Sequence, residues 1–415
     1  MEKYTVDSIS KYLSILEKYG IDKFVYRGQN EPYFSIQANG FRTYKGGWNS
    51  DKIYDMPHLH KEFYNKVIGR LSDDEKRHFL AYCQHHGIPT NLIDISYSPL
   101  VALFFACYGK KEFQISLSDF ISNHTIEDIE EDINGDASLS KMLIHNLINQ
   151  YRKPFYSRFA QLYAIRKQRL IDITDIIIEL DGRNLFEELL TDKNLVTKLF
   201  KRVNNHFNQN ITGDIAIEWL NNILELYDEV YDFFNENKSE LYNKVKKVLS
   251  RGNNQQIIKN LLDEIMQKDI YNYYLSISIS DLYKEEQNIN TIALIYINIL
   301  IDILENIKSM PRKIGIYLDI YFTYKPPEIF KRIAMQQGFF IYQSYLYTND
   351  GVYDYCELNT QYVRPDVIIQ IDNYNNIIDD LDTIGINNGN IYGDIDNMAK
   401  SVLRSSGRLF HADEE

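Results

Sequence analysis

Cysteine is scarce in this chain. Cys83, Cys107 and Cys356 are the three present, far apart and without a CxxC pair. So odd and scattered a set argues against a disulfide framework and against a cysteine-rich zinc site. The natural setting is then a reducing, cytoplasmic one. Long apolar runs are missing as well. The most apolar stretch, residues 292–304, is interrupted by Asn298 and Asp302 and is too short and too polar to span a bilayer. Met1, Glu2 and Lys3 lead into alternating polar and apolar residues, which do not read as a signal peptide. Positive charge is also in deficit, with a net charge of −13, which disfavours nonspecific nucleic-acid binding. A basic cluster at Lys244, Lys246, Lys247 and Arg251 reads as a solvated helix face. No fixed-period repeat and no low-complexity linker is found.

What is present suits a folded chain of more than one unit. The 415 residues point to two or three units, and a hydrophobic fraction of 44% supplies ample core material. Val6, Ile9, Tyr12, Leu13 and Leu16 form a helical stripe that Gly20 stops. Residues 24–28 make a β-type run ending at a glycine. Helical periods return over residues 56–71 and after Asp73 and Asp74. Residues 91–95 read as a buried strand. Ser98 followed by Pro99 predicts a helix start, because serine caps free amides and proline tolerates the first turn. Leu100 to Phe105 leaves almost no polar face, so this helix is expected at the centre of the fold.

The middle of the chain differs. Helical periods run over residues 139–148, 219–233 and 257–265, while alternation over 171–180 and 274–279 predicts strands. Strands are expected again at 314–321, 339–345 and 367–371, then helices at 374–384 and 394–403. Strands interleaved with helices at both ends imply an α+β (mixed α/β) chain built on a sheet.

Tyr26-Arg27-Gly28-Gln29 is similar to the opening motif of the FRG family. The block from Gln84-His85-His86-Gly87-Ile88-Pro89-Thr90 to Asp94, followed by Ser98-Pro99-Leu100 and on to Ala106, is similar to its most distinctive element. Arg332, Gln336, Gly338 and Phe339 resemble a later element, and residues 365–402 the closing strand and helices. Asn91 stands where the family commonly has a basic residue. The resemblance implies a split domain, with halves at 23–110 and 323–403 around a large, mainly helical insertion at 111–322. A helix at 1–22 would precede it and a tail at 404–415 would follow. It also implies a bacterial protein of effector, toxin or phage-defence type.

The chemistry-bearing residues lie on the same segments. Arg27 ends a strand beside Gly28, which suits a guanidinium gripping a phosphate while the glycine admits a ligand; the alternative is an ion pair with Glu62 or Asp94. His85 and His86 are candidates for a general base, or else bond the turn backbone. His58, His60 and His85 would make a three-histidine zinc set only if they met, and no metal is expected. Asp94 either orients a histidine or a ribose hydroxyl, or caps the turn with Ser98. Gln84 and Gln336 suit recognition of a base or the locking of loops. Tyr26, Gln29, Thr90, Ser96, Ser98, Arg332 and Gly338 complete the expected binding set.

Three functions remain open. A strand ending in Tyr-Arg-Gly, then a strand-Ser-helix, is similar to the arrangement that holds NAD in ADP-ribosyltransferases. Arg27 would bind the pyrophosphate, and Ser96 or Ser98 the ribose. That chemistry normally uses a late glutamate, and Gln336-Gln337-Gly338 offers none, with Glu357 the substitute. The second reading is a nuclease or nucleotide hydrolase using His85 or His86. The third is a non-catalytic module that senses a nucleotide or small phosphorylated ligand while the insertion contacts a protein partner.

Overall fold

The computed structural model describes residues 2–31, 36–42, 54–110, 158–234, 238–250, 260, 289–310, 313–327, 330–349 and 356–407. Strand β1 (Glu2–Val6) leads into helix α1 (Ile9–Tyr19). Val6 therefore belongs to a strand and not to the helical stripe. Ser8, with extended backbone at φ −153°, caps Lys11 N and sets the helix start. Strand β2 (Phe24–Gln29) follows, then helices α2 (Met56–Val67), α3 (Asp73–Arg77) and α4 (Phe79–His85). Strand β3 (Leu92–Ser96) enters α5 (Pro99–Cys107), where Ser98 caps Val101 N. Six of the α5 side chains are buried, as an all-apolar helix requires.

Strands β4 (Ala160–Arg166) and β5 (Leu170–Asp172) come next. The alternation over 171–180 predicts one strand, but the chain turns helical after Asp172. Its carboxylate accepts from both the amide and the hydroxyl of Thr174, at 3.0 and 2.6 Å, and this turn opens α6 (Thr174–Leu180). Helices α7 (Leu185–Leu189), α8 (Lys193–Asn210), α9 (Gly213–Phe234), α10 (Glu240–Leu249) and α11 (Thr291–Lys308) build a helical layer. The periods over 139–148 and 257–265 and the alternation over 274–279 lie outside the described residues, residue 260 excepted.

After α11 come β6 (Tyr321–Tyr324), α12 (Lys331–Met335), β7 (Gly338–Tyr342), β8 (Tyr345–Asn349), β9 (Cys356–Thr360) and β10 (Val367–Ile371). Helices α13 (Tyr374–Thr383), α14 (Asn388–Tyr392) and α15 (Ile395–Gly407) follow. The strand expected over 314–321 forms only from Tyr321 onward. Before it, Ile316 makes an isolated bridge to Gln361, and the Asn359 side chain takes the Ile314 amide at 2.6 Å.

Eight strands form one sheet in the order β1-β10-β4-β2-β3-β7-β6-β5, and β8 pairs with β9 apart from it. The outermost pairs, β1 with β10 and β6 with β5, are parallel and the inner ladders antiparallel. The chain is thus α+β. Strand β4, from the middle of the chain, joins β2 to β10 at the centre of the sheet. One core contains Tyr26, Leu162 and Ile369 with α1, α5 and α13. A second holds Val25, Ile95, Ile165 and Ile341 against Phe41, Met56 and the β8–β9 pair. The third and largest is the interior of α6 to α11, where α11 is buried almost all round. Among the described residues no helix is long and apolar enough to cross a membrane.

Candidate functional site

Strands β2 and β3 share a single paired position, Tyr26 opposite Ser96. Beyond it β2 keeps pairing with β4 as far as Gln29, and β3 with β7 as far as Leu92. The sheet therefore opens between the two strands. A pocket of about 450 Å³ lies at this opening, lined by Tyr26 to Gln29 on one side and Asp94 to Ser96 on the other.

Arg27 bridges the gap with its side chain. Nη1 donates to the backbone oxygen of Asp94 at 2.7 Å, and Nε to Gln29 Oε1 at 3.0 Å. The Asp94 carboxylate stands 3.9 Å from Nη1. Gln29 is 4% exposed, and its Nε2 has no hydrogen-bond partner among the described residues. A buried amide donor left unsatisfied is unusual enough to need a cause, and a ligand acceptor is one. Gly28 has another cause than ligand access. A Cβ there would stand 1.8 Å from the Ala102 carbonyl oxygen, so the glycine admits α5 against β2. Tyr26 lines the pocket, yet its hydroxyl is engaged by the Ile21 carbonyl at 2.8 Å.

Asp94 is exposed and is held from behind. Gln84 Nε2 donates to its carboxylate at 2.9 Å, and Thr90 Oγ1 donates to Gln84 Oε1 at 2.6 Å. Thr90 Oγ1 in turn accepts from Leu92 N at 3.1 Å. Gln84 and Thr90 do not line the pocket; they orient the residue that does.

The second wall comes from the far end of the chain. Ser96 Oγ donates to the Gln336 carbonyl at 2.7 Å, and Tyr97 N to the Gln337 carbonyl at 3.0 Å. These bonds pin the end of α12 against β3 and place Arg332 and Gln336 in the pocket lining. The Arg332 guanidinium lies 4.6 Å from the centre of the Tyr392 ring, a cation–π contact that aims it. Burial pushes the Tyr392 phenol up, and Arg332 opposes that shift. Gly338 begins β7 opposite Ser96 and Ser98 caps α5; neither lines the pocket.

Eight lining residues lie outside the expected set, among them Arg42, Phe105, Tyr108 and Tyr392. Arg42 follows a short turn at Asn39–Phe41 that is pinned by Thr90, with Gly40 N donating to Thr90 O at 2.9 Å and Asn39 Oδ1 accepting from Thr90 N at 2.9 Å. Nothing in the local pattern signals that placement. Tyr108 immediately follows α5, where its hydroxyl meets Asn388. The pocket thus carries three guanidinium groups against one carboxylate, in a chain whose net charge is −13.

The histidines sit elsewhere. Neither His85 nor His86 lines the pocket. His85 lies 5.8 Å ring to ring from Phe330, and burial, His86 and Arg332 lower its pKa. His86 packs on Tyr82 at 4.3 Å. His60 Nε2 meets the Pro89 carbonyl at 2.8 Å, and His58 faces Glu62 at 3.4 Å. Among the described residues no three His, Cys, Asp or Glu side chains gather as a metal site, so His58, His60 and His85 do not converge. Cys83 and Cys107 are buried, and burial pushes both thiols up to about 12, which removes them as nucleophiles.

No curated protein and no solved structure matches the chain. A family model does match, and the segment it covers holds β2, β3, α5 and the Arg27–Asp94 side of the pocket. Residues 22–114 match the family model of the FRG domain, which bears out the resemblance over that segment.

Proposed function

We propose that the pocket between β2 and β3 binds a nucleotide, with Arg27 and Arg332 on its phosphates, and that the protein acts on NAD in the manner of an ADP-ribosyltransferase. One observation carries this: three arginines, one exposed carboxylate and the aromatic side chains of Phe105, Tyr108 and Tyr392 surround a single opening. Guanidinium groups match phosphate oxygens with paired donors, and aromatic faces suit a base. A volume of about 450 Å³ falls within the range of roughly 300–1,000 Å³ typical of small-ligand sites. The unsatisfied Gln29 Nε2 adds a buried donor for a ligand oxygen. These features together support a fit to NAD.

NAD, when bound, supplies a labile bond between its ribose and nicotinamide. The chain's part is to hold the phosphates, exclude water with the aromatic wall and present a carboxylate. Among the described residues Asp94 is the sole carboxylate lining the pocket, and on this reading it supplies the acid that a late glutamate normally provides. Glu357 lies in β9, in register with Thr348 and outside the main sheet. On this reading the FRG domain is split: strands β7 and β10, from the second half of the chain, complete the sheet around residues 22–114. NAD consumption would suit the effector or defence role that the family resemblance implies. The test is NAD binding and turnover by the intact chain and by Arg27→Ala and Asp94→Asn.

The hydrolase reading has less support, because His85 and His86 do not line this pocket. A non-catalytic sensor is supported by the bond from Gln84 and the approach of Arg27 to the Asp94 carboxylate, which suit a structural acid. NAD binding without turnover would favour it.

A further inference from the structure

A second cavity, of about 380 Å³, lies where α2, α3 and α4 meet α6. It shares no lining residue with the opening between β2 and β3. Its apolar side is made by Phe79 and Leu80 of α4, Ile177 of α6 and Tyr324 of β6. The Tyr64 ring meets Phe79 edge-on at 4.9 Å, and the Tyr324 hydroxyl is fixed by His78 Nδ1 at 2.9 Å. Four cations join this apolar side, Lys61, Lys76, Arg77 and Arg183, against one carboxylate, Asp181. Lys76 is paired with Asp73 at 3.2 Å, and Arg183 with Glu188. Lys61 and Arg77 have no ion pair among the described residues. Burial lowers the pKa of His60, so that it adds hydrogen-bonding capacity without charge at neutral pH.

Like charges gathered at one cavity repel each other, and a strongly acidic chain offers many carboxylates that would relieve them. We infer that this cavity is a second ligand site, for a small phosphorylated molecule with an apolar or aromatic portion. Its phosphate lies between Lys61 and Arg77, and its apolar portion packs on Phe79 and Ile177. The cavity is built partly on α4, whose last turn carries Gln84, the residue bonded to Asp94. A ligand here therefore touches the helix that orients the first pocket's carboxylate.

The test is calorimetric titration of the full chain with ADP. The variants are Lys61→Glu/Arg77→Glu, Arg27→Ala and all three changes together; circular dichroism and thermal melting check folding. Two sites are expected in the unmodified chain. The Lys61→Glu/Arg77→Glu variant should lose one, with at least about tenfold weaker binding there, the scale of one lost charge-assisted contact. Arg27→Ala should lose the other. If Arg27→Ala changes nothing while the double charge reversal removes a site, the second site stands and the nucleotide reading of the first pocket fails. A single ADP site that the double reversal leaves intact overturns the inference. Should the charge reversal impair folding, Lys61→Gln/Arg77→Gln gives the same comparison with no added negative charge.

Discussion

Arg27 and Asp94 meet at two levels: the guanidinium donates to the backbone oxygen of Asp94 at 2.7 Å and stands 3.9 Å from its carboxylate. The backbone bond stitches the two strands together where their ladder stops. The ionic contact is long, and the Asp94 side chain is 61% exposed, so it adds little to stability. Arg27 is therefore held by the Asp94 main chain and the Gln29 side chain, and the Asp94 carboxylate remains open to a ligand.

Replacing Arg27 separates these roles. Arg27→Lys keeps a charge but loses the fork geometry, so nucleotide affinity should fall by about tenfold or more. Stability should fall by only about 1 kcal/mol, the scale of one hydrogen bond to the Asp94 carbonyl. Calorimetry and urea unfolding on the same preparation measure the two effects.

Gly28 is a stability position. An alanine Cβ would meet the Ala102 carbonyl oxygen at 1.8 Å and Ala106 N at 2.5 Å, both backbone atoms of α5. Gly28→Ala should destabilise the fold by roughly 2–4 kcal/mol, as overpacking against a fixed helix does. A clear drop in the thermal midpoint is expected. An unchanged midpoint with weakened ligand binding would return the glycine to a ligand role.

Gln84 acts at one remove from the pocket. In Gln84→Ala the Asp94 carboxylate loses its 2.9 Å donor and Thr90 Oγ1 loses its acceptor. NAD turnover should drop several-fold, with less change in NAD affinity. Separate measurement of kcat and KM distinguishes this from a general loss of folding.

Acid should weaken the fold through half-buried histidines. His60 and His206 have pKa values below the ordinary 6.5, chiefly because burial disfavours the charged ring. For a group depressed in this way the unfolded chain binds protons first. The contribution to stability is thus complete above pH 6.5 and declines as pH falls toward and through the folded-state value. His206 Nε2 lies 2.6 Å from the Gln168 carbonyl, so His206→Gln keeps a donor for that oxygen while removing the titration. Urea midpoints measured between pH 5 and 8 should show a shallower acid decline in this variant.

Much of the architecture was legible where local chemistry and long-range packing agree. Ser98-Pro99 opened α5 as read, and 367–371 is strand β10. The misreadings have local causes. Val6 fits a helical stripe by spacing, but Ser8 caps the helix after it. Residues 171–180 alternate, but the Asp172 side chain ends the strand within three residues. At the site, Arg27, Asp94, Arg332 and Gln336 line one pocket, whereas Arg42, Tyr108 and Tyr392 carried no sequence signal. Arg42 follows a turn pinned by Thr90, which is 51 positions from Asn39 in sequence, and spacing rules do not reach that far. Adjacent His85 and His86 looked like chemistry because imidazole is versatile; their surroundings are aromatic packing.

The most direct test of the central claim is titration of the intact chain with NAD, beside Arg27→Ala, with released nicotinamide measured in the same samples. The expected result is saturable binding to the unmodified chain, at least about tenfold weaker in Arg27→Ala, with nicotinamide release that Asp94→Asn abolishes. Binding that is absent, or equal in the two proteins, would contradict a nucleotide site at the opening between β2 and β3.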